Sequence, residues 1–217
     1  SPVGAAPKTQ TLGMDNFISR FCSATLVQAG ALSFKDGSTT LGYDGAVFLA
    51  GEEDGDSGYA RGFAFDMDGN GINLPRMGLA SWENLMPNLK PGKNTVVMGN
   101  EDGSATDSQL FMYVGTKTTE GTFADKAGLT NGDVHVMTIA DVANDNAFRA
   151  KYGKNKAVDV TFTKTIWDAD MKTQQVDHAA KGTEMSRVED GEWDPSNPNV
   201  FYFVTTESNK DPGATKP

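Results

Sequence analysis

Cysteine is all but missing from this chain. Cys22 is the single one in 217 residues, so no internal disulfide can form and the redox compartment stays undetermined. Histidine is nearly as scarce. The only two, His135 and His178, have no partner at ligand spacing, which excludes a His-rich zinc site and a Ser-His-Asp triad. No run approaches the roughly 18 apolar residues of a membrane span, and residues 1–12 lack the charged-then-apolar order of a signal peptide. Positive charge is also short. Nineteen basic against 29 acidic residues leave a net charge of −10, so neither nucleic acid nor an anionic membrane is an expected partner.

What is present points to an all-β fold. Glycine is abundant, at 24 residues, and short runs rich in Val, Phe, Tyr and Thr recur between clusters of Gly, Asp and Asn. These runs predict strands over 45–51, 61–66, 95–99, 109–115, 134–139, 157–163 and 199–206, with short helices in the loops at 15–21, 122–127, 143–152 and 168–181. Residues 1–13 read as a flexible lead-in and 208–217 as a flexible tail, leaving one unit over 14–207. Several strands end in acids or amides: Glu52, Glu53 and Asp54 after the first, 66–71 after the second, and Asn100, Glu101 and Asp102 after the third. In a radial array such as a β-propeller, equivalent strand ends meet at a central channel, so acids far apart in sequence can gather there. Asp-Gly and Asn-Gly turns alone would produce the same residues.

The densest functional signal is the run 187–195, where Arg187, Glu189, Asp190, Glu192 and Asp194 fall within eight residues just before an apolar strand. Oxygen donors held close together suit hard cations such as calcium or oxidised iron. The guanidinium of Arg187 adds a fork able to grip a phosphate with two parallel hydrogen bonds. Ser81, Trp82, Glu83 and Asn84 place a carboxylate beside a large aromatic, a setting that strengthens its pull on a cation. Asp66, Asp68, Asn70 and Gly71 open like a calcium loop, but Met77 stands where the bidentate Glu belongs, so a hairpin turn is expected there. Cys22 reads either as an apolar filler or, with Glu52 and Glu53, as part of a mixed thiolate and carboxylate set of the kind that iron tolerates.

In order along the chain, Arg-Phe-Cys-Ser (20–23), Gly-Glu-Glu (51–53), Ser-Trp-Glu-Asn (81–84), Asn-Glu-Asp (100–102), Tyr-Val-Gly-Thr-Lys (113–117) and the 187–195 run resemble the PhoX-type alkaline phosphatases over residues 21–206. The resemblance implies a six-bladed β-propeller whose axial channel holds iron and calcium and which hydrolyses phosphoesters in the periplasm or outside the cell. It implies metal ligands at Cys22, Glu52, Glu83, Glu189 and Asp190, with Glu53 and Asp102 beside them, and a phosphate clamp at Arg187. Trp82 stands where better-studied members carry His, and Val188 where they carry Pro. Six four-stranded blades need about 24 strands. Seven are legible here, so a partial propeller is expected, with another chain or segment completing the ring. The competing expectation is a non-catalytic, calcium-stabilised extracellular propeller or assembly module, in which the same acids only tie loops together.

Overall fold

Residues 18–54, 60–103 and 108–206 are described by the computed structural model, so the expected lead-in at 1–13 and tail at 208–217 lie outside the described residues. The chain enters at β1 (Phe21–Val27), makes a hairpin of β2 (Leu32–Asp36) and β3 (Thr39–Tyr43), and continues through β4 (Val47–Glu52), β5 (Gly62–Asp66) and β6 (Gly71–Asn73). The four strands β1, β4, β5 and β6 form one antiparallel sheet in that order. The turn into β6 is held by Asp66. Its Oδ1 accepts the backbone N–H of Asp68 at 3.0 Å and of Asn70 at 2.8 Å, while Oδ2 accepts Nδ2 of Asn70 at 2.7 Å. That carboxylate is consumed by a hairpin turn, as expected from the missing Glu.

A second sheet of five strands follows: β7 (Trp82–Pro87), β8 (Asn94–Glu101), β9 (Leu110–Thr116), β10 (Asp133–Thr138) and β11 (Thr161–Lys164), paired in sequence order with β7 at one edge. The third unit is a lone hairpin, β12 (Val188–Trp193) with β13 (Phe201–Thr205). Among the described residues three α-helices sit in the loops: α1 (Phe123–Lys126), α2 (Asp145–Tyr152) and α3 (Met171–Lys181). Each starts at a residue whose side chain takes an orphan N–H of the first turn: Thr122 in a capping box with Asp125, Asn144 at 3.0 Å from the N–H of Ala147, and Asp170 at 3.0 Å from that of Thr173. The helix expected at 15–21 does not form at its described end, because Phe21 already pairs with Glu52 as the first residue of β1.

Two apolar clusters join the sheets. Val27, Leu49, Leu85, Trp82, Phe111 and Tyr113 lie in the larger one, where the first two sheets meet. In the smaller, Val188, Trp193, Phe201 and Phe203 of the hairpin pack on Met98, Leu110, Met112 and Met137 of the second sheet. β1 packs beside β7 and β7 beside β12. Each of these strands is an edge of its own sheet. The molecule is therefore all-β, and three of its sheets are set side by side with one edge strand of each at a common centre, the form of a partial propeller.

Candidate metal centre

Three strands that belong to different sheets each carry one potential ligand at their second residue: Cys22 on β1, Glu83 on β7 and Glu189 on β12. Each is also where strand pairing slips. The register of β1 on β4 shifts between Phe21 and Ala24, that of β7 on β8 between Trp82 and Asn84, and that of β12 on β13 between Val188 and Gly191. The other strand pairs keep regular register. A bulge bends the strand and re-aims the side chain at the extra residue. Here three bulges turn three ligand-type groups towards one another.

The partner strands add two more. β4 ends at Glu52, so Glu53 follows at the end where β1 begins, and Asp102 follows β8 at the end where β7 begins. Ligand-type atoms of Cys22, Glu53 and Glu83 all lie within 4.8 Å of one another, and so do those of Glu83, Asp102 and Glu189. Glu83 belongs to both sets. Such crowding leaves an electrostatic mark. Loss of solvation raises the Glu83 carboxyl above its usual range, with the charges of Glu53, Glu189 and Asp102 adding to the shift. The Cys22 thiol is pushed up to about 12 by desolvation and by its hydrogen bonds with Glu83 and Glu53. The donor chemistry fits a pair of ions: one set offers sulfur and oxygen, the other oxygen only.

Arg187 stands over the oxygen-only set. Its Nε donates to Oδ1 of Asp102 at 2.8 Å and its Nη2 to Oδ2 at 2.7 Å, with Glu189 at 3.3 Å. Asp102 chiefly raises the guanidinium's affinity for its proton, so the side chain is a permanent cation. The backbone of Arg187 has φ of 55°, in the left-handed region that non-glycine residues seldom occupy. That conformation is held on both sides, by the Arg187 N–H donating to Met185 O and by the Thr206 N–H donating to Arg187 O, both at 2.9 Å.

Of the residues singled out in the sequence, Cys22, Glu53, Glu83, Asp102, Glu189 and Arg187 come together. Glu52 and Asp190 stand apart from the two sets. Glu52 is fully buried, and Arg61 fills it: Nε donates to Oε2 at 2.7 Å and Nη2 to Oε1 at 3.0 Å, with the N–H groups of Arg61 and Ser19 completing the shell. A carboxylate so occupied is a structural ion pair. Asp190 turns away to accept Nδ2 of Asn84 at 2.9 Å. Cys22 is exposed, which removes the reading of an apolar filler.

Sequence reasoning missed the supports. Arg20 reaches Glu53 at 2.6 Å, Asn84 joins β1 to β12 through Thr25 and Asp190, Asn100 donates to the backbone oxygen of Glu189, and the Ser108 hydroxyl accepts the N–H of Val188 at 2.8 Å. Arg20, Asn84 and Asn100 stand within the motifs read from the sequence, but their supporting partners leave no local signal, and Ser108 carries none at all.

No family model matches the sequence, and no curated protein matches it. Among solved structures the chain is similar to Pseudomonas fluorescens PhoX in complex with vanadate, a transition state analogue, with a TM-score of 0.47 and 12% identity over 80% of this chain and 43% of that one. The chain thus spans less than half the length of that structure.

Proposed function

We propose that the chain carries a metal centre of the PhoX type and acts on phosphoesters in the periplasm or outside the cell. The observation that carries this reading is the convergence of three bulged strands on one cluster with a guanidinium beside it. Cys22, Glu53 and Glu83 would hold iron, because that set alone includes sulfur; Glu83, Asp102 and Glu189 would hold calcium. The ions, when bound, supply Lewis-acid neutralisation of the phosphoryl oxygens. Arg187 binds and orients the equatorial oxygens as charge moves on to them. Asp102 holds the guanidinium plane in place. Arg20 balances the outer carboxylate, Glu53. The likeness of the 51–53, 81–84 and 187–195 segments to PhoX-type phosphatases supports a phosphoester over other anions. A partner chain or segment would complete the ring beyond the two-stranded third unit, where β13 has no second neighbour among the described residues.

The test is turnover of a chromogenic phosphomonoester at alkaline pH with calcium and iron supplied. Activity that disappears in Arg187→Ala supports the proposal; none under any metal condition overturns it. One observation favours the second reading, a calcium-stabilised module without catalysis: the Nε and Nη2 edge of the Arg187 fork is already taken by Asp102. Thermal stabilisation by calcium with no turnover is its signature. Among the described residues no helix is long and apolar enough to cross a membrane.

A further inference from the structure

Beyond their cluster residues, β1, β7 and β12 continue side by side and line a groove of about 910 Å³, near the upper end of the ~300–1,000 Å³ typical of small-molecule sites. Each strand passes directly from one to the other: Cys22 to Ser23, Glu83 to Asn84, Glu189 to Asp190. The groove therefore begins one residue along each strand from the cluster, and none of the cluster residues lines it. Its walls are apolar at Leu26 and Leu89, each 50% exposed, and at the indole of Trp193, which is fixed by its Nε1–H donating to Met86 O at 3.0 Å and by Phe201 behind it at 5.0 Å. The β12 wall also brings three carboxylates, Asp190, Glu192 and Asp194, against one ammonium, Lys90, which Asn199 holds at 2.9 Å.

We propose that this groove binds an apolar body that carries a positive charge, such as an alkylammonium group, and that this is the alcohol part of the ester whose phosphate meets the cluster. Apolar surface on Leu26, Leu89 and Trp193 supplies the affinity, since burying it removes it from water. The carboxylates set the sign: they repel an anionic tail and attract an ammonium, and an indole face adds a cation–π contact. Lys90 does not reverse that balance. The link to an ester rests on the phosphoester reading, but the preference for a cationic amphiphile is a property of the groove alone.

The two are separated by measuring binding without catalysis. Decyltrimethylammonium, decyl glucoside and decanoate, each below its micellar concentration, are titrated into the chain in EDTA and followed by calorimetry. The cationic probe is expected to bind about tenfold more tightly than decanoate, the neutral one between them, as charge complementarity dictates. Glu192→Gln, an exposed change that leaves the strand pairing intact, should remove several-fold of that preference; Leu26→Ser should weaken all three probes. Equal affinity for the three, or a preference untouched by Glu192→Gln, overturns the proposal. So does sedimentation showing that a second copy fills the groove and must dissociate before the probe binds. Probe binding that survives Arg187→Ala while turnover is lost supports the groove and the cluster as separate parts of one site. Turnover that is absent throughout while the cationic preference holds overturns only the phosphoester reading.

Discussion

At the scale of single residues, the two adjacent glutamates at the end of β4 show how position decides role. Glu52 and Glu53 are chemically identical, yet Glu52 is sealed with Arg61 and Glu53 faces Cys22 and Glu83. Glu52→Gln should therefore leave metal content unchanged and lower stability by about 3 kcal/mol in urea unfolding, because it strands a guanidinium that is itself nearly buried. Glu83→Gln should do the reverse. It should cost both metals together in elemental analysis, since Glu83 is the residue common to both sets, whereas Glu189→Gln should reduce calcium and spare iron. His178 supplies a separate test of burial. It is 2% exposed on α3, its ring packs edge-on to Phe111 at 4.8 Å, and neither ring nitrogen has a partner among the described residues. Desolvation lowers its pKa from 6.5 to about 4. The folded state thus resists a proton that the unfolded chain accepts, so the stabilising contribution is complete above pH 6.5 and is lost as pH falls towards 4. In His178→Leu this segment of the stability–pH curve should flatten by about 3 kcal/mol, the linkage expected of a shift of that size. A difference curve with no inflection between those pH values would contradict the assignment.

At the scale of elements, the strands that build the site are the ones the sequence hides. The expected strands at 45–51, 61–66, 95–99, 109–115 and 134–139 correspond to β4, β5, β8, β9 and β10, which lie inside their sheets and carry the apolar runs that burial on both faces requires. β1, β7 and β12 are edge strands facing a polar centre. β1 is half exposed along its length, β7 ends in a proline, and β12 reads Val-Glu-Asp-Gly-Glu-Trp, which looks like an acidic turn until β13 pairs with it. The helices expected at 122–127, 143–152 and 168–181 correspond to α1, α2 and α3. The residues Cys22, Glu83, Glu189 and Arg187 were legible as types, but the bulges that aim them depend on pairing between strands and leave no trace in local spacing. Two glycines show how tightly that aim is kept. A Cβ on Gly51 would stand 2.2 Å from Cβ of Trp82, and one on Gly99 2.5 Å from its Cζ3, so the indole fills the space these residues leave. Gly99→Ala should displace Trp82, cost about 1–3 kcal/mol by overpacking, and carry the adjacent Glu83 out of register with its partners. Lower metal content together with the lower melting temperature checks this; a destabilised protein with full metal content would show that Glu83 is aimed independently of Trp82.

For the molecule as a whole, the candidate centre is the place where three sheets are tied. Cys22 and Glu53 come from the first sheet, Glu83 and Asp102 from the second, and Glu189 with Arg187 from the hairpin and the residue before it. Protein groups already bridge the same units: Arg187 to Asp102, Asn84 to Thr25 and Asp190, and Trp193 to Met86. An ion bound across the cluster binds only the assembled state, so it stabilises by RT ln(1 + [L]/Kd), about 2.7 kcal/mol at a hundredfold excess over Kd. Because its ligands lie on different sheets, that stabilisation cannot stay local. Opening any one of the three units breaks the site, so all three should gain protection together. Hydrogen exchange with and without calcium therefore discriminates a central site from a loop site. Slowing that appears in β1, β7 and β12 at the same calcium concentration, and that vanishes in Glu83→Gln, is the expected result. Slowing confined to the 66–71 turn would place the ion there instead, and would require Asp66 to give up the three hydrogen bonds that now shape the hairpin. Those bonds make the turn complete without a cation, whereas burial and the neighbouring carboxylates raise the Glu83 carboxyl and the Cys22 thiol at the centre, a penalty that a bound cation would relieve.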